Sequence, residues 1–264
     1  MTDIHVQPER NAISGFLQAI DSVNLQQPEF VLTGGDLVMD ALAQPFSRSD
    51  SLYSIYLDCL QRFISPVYNT IGNHELFAVY KNAGADTLHP MSGTGMYEQR
   101  IGKTYYSFMH GGWKFMVLNT IMVTPQRSYI GGIDSVQIAW IMKELSTTHP
   151  STPICLSVHI PLMTVFAQVT AGATAPNSPG LVVTNAREIL GLFKEHNLRL
   201  VLQGHLHYLE DITVGGVRFI TCGSVASGWW KKENMSTPCG FAVFEIDGEQ
   251  VEWQYKTYGW SLPR

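Results

Sequence analysis

Five short stretches carry the residues able to do chemistry: Asp3-Ile4-His5, Gly35-Asp36, Gly72-Asn73-His74-Glu75, Val158-His159 and Gly204-His205-Leu206-His207. All but the first follow an apolar run. Together they hold five of the nine histidines, two aspartates and one asparagine. That mixture of imidazole, carboxylate and amide oxygen suits Mn, Fe, Zn or Co better than Ca or Mg, which prefer oxygen alone. Seven candidate ligands are too many for one four-coordinate ion. They suit two ions sharing a bridging carboxylate, with positions open for water and a ligand. A lone His-x-His is a weak signal; its company at other strand ends is what raises it. Gly204, just before the pair, allows the backbone to turn there.

The elements that must position these residues follow from periodicity. Glu9–Val23 carries a helical stripe of Ile13, Phe16, Leu17, Ile20 and Val23. Phe30–Thr33 reads as a buried strand ending at Gly34-Gly35-Asp36, and a second helix follows from about Ser51 with Leu52, Ile55, Tyr56, Leu60 and Phe63 on one face. Pro66–Ile71 is a short strand delivering Gly72-Asn73-His74-Glu75. Repeated βαβ units predict helices packed on a largely parallel sheet, whose C-terminal strand edge is where ligands bind. Residues 77–100 lack periodicity and read as an irregular excursion, with a substrate-facing lid and a plain surface loop as equal alternatives.

Further on, Tyr105–Met109 and Lys114–Thr120 flank Gly111-Gly112 as a hairpin. Asp134 with Gln137 opens a helix through Leu145, and Asn185 with Glu188 opens another. Pro153–Val158 feeds His159, residues 161–179 form a loop, and Leu198–Gln203 leads into the Gly204 turn. The tail is all-β: Gly215-Gly216 and Asp247-Gly248 are hairpin turns. No repeat or linker interrupts the chain, so residues 1–264 are expected to form one domain that includes the β-rich part 208–258.

Composition narrows the class. The net charge of −5 over 264 residues, without Lys/Arg clusters, argues against non-specific nucleic-acid binding. No run of 18 apolar residues exists, so no membrane span is expected. Cys59, Cys155, Cys222 and Cys239 lack metal-knuckle spacing, and no structural disulfide is expected. Charged residues are only 15%, which leans towards an exported protein. The compartment is left open between export, given an upstream signal, and the cytoplasm. Oligomeric state is likewise open.

In this order, the five stretches resemble the calcineurin-like metallophosphoesterase superfamily over residues 3 to 207. The resemblance implies a two-sheet β-sandwich flanked by helices, in four αββα layers. It implies that Asp3, His5 and His207 bind a first ion, that Asp36 bridges both, and that Asn73, His159 and His205 complete the second. His74 would protonate or stabilise the leaving oxygen. The activity implied is hydrolysis of phosphate mono- or diesters of small molecules by attack of a metal-bound hydroxide, with two divalent transition-metal ions (Mn, Fe, Zn or Co) as cofactors. A nuclease of the same superfamily and a non-catalytic interaction scaffold are the alternatives; scaffolds lose ligands, and here all seven positions are filled.

Taken singly, each residue has a plainer role: Asp3 and Asp36 as turn or cap residues, Asn73 as turn chemistry, His159 as a core histidine. Asp40 is left as a second residue orienting the ligands, His89 and His110 as surface residues, and Trp229-Trp230 as packing or cleft lining. Departures from the family pattern are specific. Met39 stands where the purple acid phosphatase branch has a metal-bound Tyr, and the Arg of protein Ser/Thr phosphatases is missing. Only Met1-Thr2 precede Asp3, so a strand upstream of Asp3 is expected, with the first strand truncated here.

Overall fold

The computed structural model describes residues 1–83, 88–231 and 237–261. Helix α1 spans Ala12–Asn24, and strand β1 spans Val31–Thr33. The helix begins later than the expected Glu9 because Arg10 and Asn11 sit in left-handed conformations, at φ 57° and 55°. Helix α2 spans Phe46–Leu60, starting five residues before the expected Ser51, because Pro45 sets an extended N-cap ahead of a polar first turn. Strand β2, Val67–Asn69, pairs with β1 in parallel.

Next come α3 (Gly95–Arg100), β3 (Tyr106–His110), β4 (Trp113–Val117), β5 (Ile121–Thr124) and β6 (Ser128–Gly131). They are followed by α4 (Ser135–Ser146), β7 (Pro153–Ser157), α5 (Phe166–Ala171), α6 (Ala186–Leu192) and β8 (Asn197–Gln203). The chain ends in β9 (Glu210–Val214), β10 (Val217–Thr221), β11 (Gly240–Asp247) and β12 (Gln250–Thr257).

Six strands form the large sheet in the order β3-β4-β7-β8-β10-β9. Its inner pairs, β4 with β7, β7 with β8 and β8 with β10, are parallel, as the βαβ pattern predicts. The antiparallel partners β3 and β9 close the edges. Alternation along the strands sorts the two faces. Met116, Ile154, Leu156, Val201 and Phe219 join the main core with Ile141 and Leu145 of α4 and Ile189 of α6. Trp113, Phe115, Cys155, Leu200, Ile220 and Cys222 face the other way, against Phe30 before β1, Leu32 of β1, and Ala242, Phe244, Val251 and Trp253 of β11 and β12. A large sheet backed by helices on one side and by smaller β-pairs on the other is the mixed α/β architecture expected.

Several local expectations needed correction. The β5–β6 hairpin has no counterpart in the sequence reading; its turn lacks an Asn-Gly or Gly-Gly signal. The stretch 77–100 is less irregular than its composition suggests: α3 closes it, and Phe77, Ala78, Val79, Met96 and Tyr97 are buried in the main core. Residues 84–87 of that stretch lie outside the described residues. Asp134 caps α4 by accepting the Gln137 N–H at 2.8 Å. Asn185 stands at the N-cap position of α6, but its side chain makes no cap bond; its amide instead binds both backbone groups of Ile133, at 3.1 and 2.9 Å. Cys59, Cys155 and Cys222 are buried free thiols. No helix among the described residues is long and apolar enough to cross a membrane.

Residues 1–6 run beside β1 and the turn after it. Gly34 N–H donates to the Met1 carbonyl at 2.8 Å, and Asp3 N–H to the Gly35 carbonyl at 3.0 Å. A cavity of about 560 Å³ lies between β1, the large sheet and β11, lined by Phe30, Leu32, Phe115, Leu202 and Phe244 among others. None of the chemistry-bearing residues lines it.

Candidate metal centre

Asp36 follows β1, Asn73 and His74 follow β2, His159 follows β7, and His205 and His207 follow β8. The C-terminal ends of two parallel pairs in different sheets, β1–β2 and β7–β8, therefore bring them together, and residues 3–5 join them by pairing with residues 35–36. There the local conformation becomes unusual. Asp3, His5, Asp36, His205 and His207 have φ of 53°, 47°, 52°, 73° and 51°. A left-handed residue with a side chain costs about 1–2 kcal/mol, and such residues persist where the surroundings over-determine them, typically at functional sites.

Gly204 was expected to supply the turn, yet it is not among the left-handed residues. Its role is close approach. A Cβ there would lie 2.2 Å from Thr2 Oγ1, 2.9 Å from the Gly34 carbonyl and 3.0 Å from Asp3 Oδ2. The histidines themselves take the strained backbone.

The donors gather in overlapping groups: Asp3, His5 and His207; His5, Asp36 and His74; and Asp36, His159 and His205, each with ligand atoms within 4.8 Å of one another. In the first, His207 Nε2 lies 3.0 Å from His5 Nε2 and 3.2 Å from Asp3 Oδ1. His207 Nδ1–H donates to the Ser227 carbonyl, so its Nε2 presents a lone pair inward. In the other, His159 Nδ1–H donates to the Gly34 carbonyl at 2.7 Å, which turns the Nε2 lone pair towards Asp36 Oδ1 and Asn73 Oδ1, each 3.1 Å away. Three acceptors converging at hydrogen-bond distance need a proton or a cation between them. His205 completes the picture: its Nε2–H donates to the Gly180 carbonyl at 2.9 Å, leaving a buried, unpartnered Nδ1. Asp36 reaches the first group as well, with Oδ2 3.6 Å from His5 Nε2.

Electrostatics agree with a cation-seeking site. Burial works against the Asp36 charge, yet His159 and His74 hold its carboxyl well below the usual range. Burial also opposes charge on His159, but the Asp36 carboxylate outweighs it and raises the imidazole to about 9. His205 goes the other way, to about 4, through burial and the neighbouring His159. The donor set fits two transition-metal ions: mixed N and O ligands, lone pairs aimed inward, and Nδ1–H or Nε2–H groups tied to carbonyls that fix the tautomers.

His74 stands apart from both trios of inward lone pairs. Its Nδ1–H donates to the Met39 carbonyl at 2.6 Å, its backbone N–H donates to Asp36 Oδ1 at 3.0 Å, and its Nε2 is 3.8 Å from Asp36 Oδ2. It is partly exposed. Position 39 thus contributes a carbonyl that orients His74, where a side-chain ligand is absent.

Other assignments change. Asp40 binds its own turn, through Leu42 N–H at 2.8 Å, and touches none of the ligands. His110 pairs with Glu29, and His89 packs on Phe46 and Phe77, both away from the centre. The Trp pair splits: Trp230 is buried, and Trp229 lies against His207 and His5. Glu75 was the residue missed. Buried within the motif, it accepts four backbone N–H groups from the loops on either side, and only its unbroken run with Asn73-His74 marked it in the sequence.

A family model described as calcineurin-like phosphoesterase matches residues 1–209. The chain belongs to the calcineurin-like phosphoesterase family. The structure also superposes on a dimetal phosphatase from Danio rerio with a TM-score of 0.68 at 15% identity, covering 98% of this chain and 95% of that one. Purple acid phosphatase PPD1 from yellow lupin (Lupinus luteus) seeds gives 0.62 at 14% identity over 97% of this chain, which spans 50% of that one. GAP50, the anchor in the inner membrane complex of Plasmodium, gives 0.56 at 14% identity, covering 98% of this chain and 83% of that one. At such identities the likeness is one of fold, and the fold is shared by phosphatases and an anchor alike. No curated protein matches the chain.

Proposed function

We propose that this calcineurin-like phosphoesterase hydrolyses phosphate mono- or diesters of small molecules, using two divalent transition-metal ions. The observation that carries the reading is Asp36, whose Oδ1 meets His159 while Oδ2 faces His5 of the other group, at 3.1 and 3.6 Å. One carboxylate reaching two sets of nitrogen donors is what a shared ligand requires. Asp3, His5 and His207 would hold one ion, and Asn73, His159 and His205 the other, with Asp36 common to both. Bound there, the ions would polarise phosphoryl oxygens and make water a nucleophile at neutral pH.

The remaining chemistry belongs to the chain. The ester's phosphoryl oxygens displace solvent at the sheet edge, and the His205 and His159 rings, fixed by Gly180 and Gly34, keep the donors in place as charge develops. With its Nδ1–H committed to the Met39 carbonyl, His74 turns Nε2 towards the departing oxygen, to which its imidazolium form would deliver the Nε2 proton. Complete ligation favours an enzyme over a scaffold.

Screening chromogenic monoesters and diesters with Mn, Fe, Zn or Co present tests the reading. Hydrolysis that disappears with chelator and returns with metal is the expected result. Metal-loaded protein inert towards every ester would overturn it.

A further inference from the structure

Ser227, Trp229 and Trp230 adopt left-handed backbone conformations, at φ 47°, 57° and 61°. Strain of this kind, at bulky residues above all, persists only where neighbours hold it, and it collects at ligand-binding sites. The holders are explicit here. The Ser227 carbonyl accepts the His207 Nδ1–H, and Ser227 Oγ–H donates to the Thr237 carbonyl at 2.9 Å. Trp230 Nε1–H donates to the carbonyls of Ile4 and His5, at 2.9 and 3.1 Å. The Trp230 ring fills the space left by Gly15 of α1, where a Cβ would lie 2.2 Å from the indole. Arg10 Nη1–H donates to the Trp229 carbonyl at 3.1 Å.

The result is to turn the Trp229 indole onto the candidate centre. Its centroid is 4.8 Å from that of His207, with the planes 38° apart, and 6.0 Å from that of His5. The ring is partly exposed, and its Nε1–H meets no acceptor among the described residues. His74 contacts the same His5 ring, edge-on, at a centroid distance of 4.7 Å. Trp229 and His74 therefore both pack on the His5 ring. If His74 serves the departing oxygen, the Trp229 indole stands one imidazole ring away from the leaving group.

We propose that Trp229 is the specificity-determining wall of a leaving-group pocket, selecting phosphate esters whose leaving group carries a planar aromatic ring. The proposal rests on the phosphoesterase reading above. An indole face prefers offset-stacked or edge-on aromatic partners beyond the simple burial of area, and base-on-aromatic stacking is a recurrent, sequence-tolerant source of affinity. A small alkyl leaving group gains little from either. An indole that merely shields His5 and His207 from solvent would not distinguish the two.

Calorimetry on the metal-loaded protein with phenylphosphonate and methylphosphonate separates these roles, because the two ligands share a head group and differ in the ring. Wild-type protein is expected to bind phenylphosphonate about 10-fold tighter, the ratio that one good aromatic contact supplies. Trp229→Leu should bring the ratio close to one, and Trp229→Phe should keep most of it, with metal content measured in each variant. A Trp229→Leu protein that retains its metal and the wild-type ratio overturns the proposal. If Trp229→Leu loses its metal, Trp229→Met takes its place: a preference close to one supports the wall, and an unchanged one overturns it. Equal binding of both phosphonates by the wild type also overturns it, while leaving the phosphoesterase reading intact. Binding of neither phosphonate nor inorganic phosphate would instead remove that reading, and the proposal with it.

Discussion

Glu75 Oε2 accepts the backbone N–H of Asp36 at 2.9 Å across 39 residues of sequence. The same oxygen takes Gly72 N–H at 2.7 Å, while Oε1 takes Leu37 and Val38 N–H at 2.8 and 3.0 Å. One carboxylate thus fastens the loop that carries Asp36 to the loop that carries Asn73 and His74. Its carbonyl accepts the Tyr53 hydroxyl of α2 at 2.6 Å, which ties the turn to the core.

Glu75→Gln should be costly out of proportion to its size. The amide nitrogen would face N–H donors, leaving at least one buried donor unpaired, a penalty of about 1–3 kcal/mol. Urea denaturation is expected to show a loss of that size, and elemental analysis a reduced metal content. Wild-type values in both would refute the fastening role.

Metal stoichiometry should reach about two ions per chain, because the inward donors form two sets joined at Asp36. Asp36→Ala is expected to lose most of both ions, whereas Asp3→Ala should lose one and retain the other. Elemental analysis after dialysis reads the difference; a wild type holding a single ion would rule out the shared-ligand arrangement.

His74→Ala should leave the metal in place and remove turnover. A positioned proton donor is worth about 10²–10⁴-fold, and less for leaving groups that need no proton. The loss should therefore be large for alkyl phosphates and small for nitrophenyl esters. Equal losses for both classes would assign His74 to binding the phosphoryl group instead of the leaving oxygen.

Gly204→Ala tests close approach directly. Its Cβ would fall 2.2 Å from Thr2 Oγ1 and 3.0 Å from Asp3 Oδ2, so residues 2–3 must shift. Overpacking of this kind destabilises by about 1–3 kcal/mol. A lower melting temperature together with weaker retention of one ion is the expected outcome, and an unchanged melt would show that the segment yields freely.

Much of the architecture could be read locally. The stripe Phe16, Ile20 and Val23 placed α1, and Gly215-Gly216 and Asp247-Gly248 placed two hairpins, since hydrophobic period and turn chemistry act over a few residues. Asp134 and Asn185 both stand where the sequence places a cap, but only the Asp134 side chain makes the cap bond, because the Asn185 amide binds the Ile133 backbone 52 residues away. No residue near Asn185 announces that competitor.

Sequence alone determined the family, the mixed α/β class and the residues that the strand ends bring together, because most of them lie in the turn just past a parallel strand. Tertiary structure decided which nitrogen each histidine turns inward, through carbonyls at Gly34, Gly180 and Ser227 that lie 125, 25 and 20 residues away from their partners. It also decided that Asp40 serves its own turn, that Glu75 joins two loops, and that of two adjacent tryptophans Trp230 anchors while Trp229 faces the centre. These outcomes depend on distances between segments remote in sequence, and on left-handed backbone that no local preference favours and only the surrounding contacts can hold.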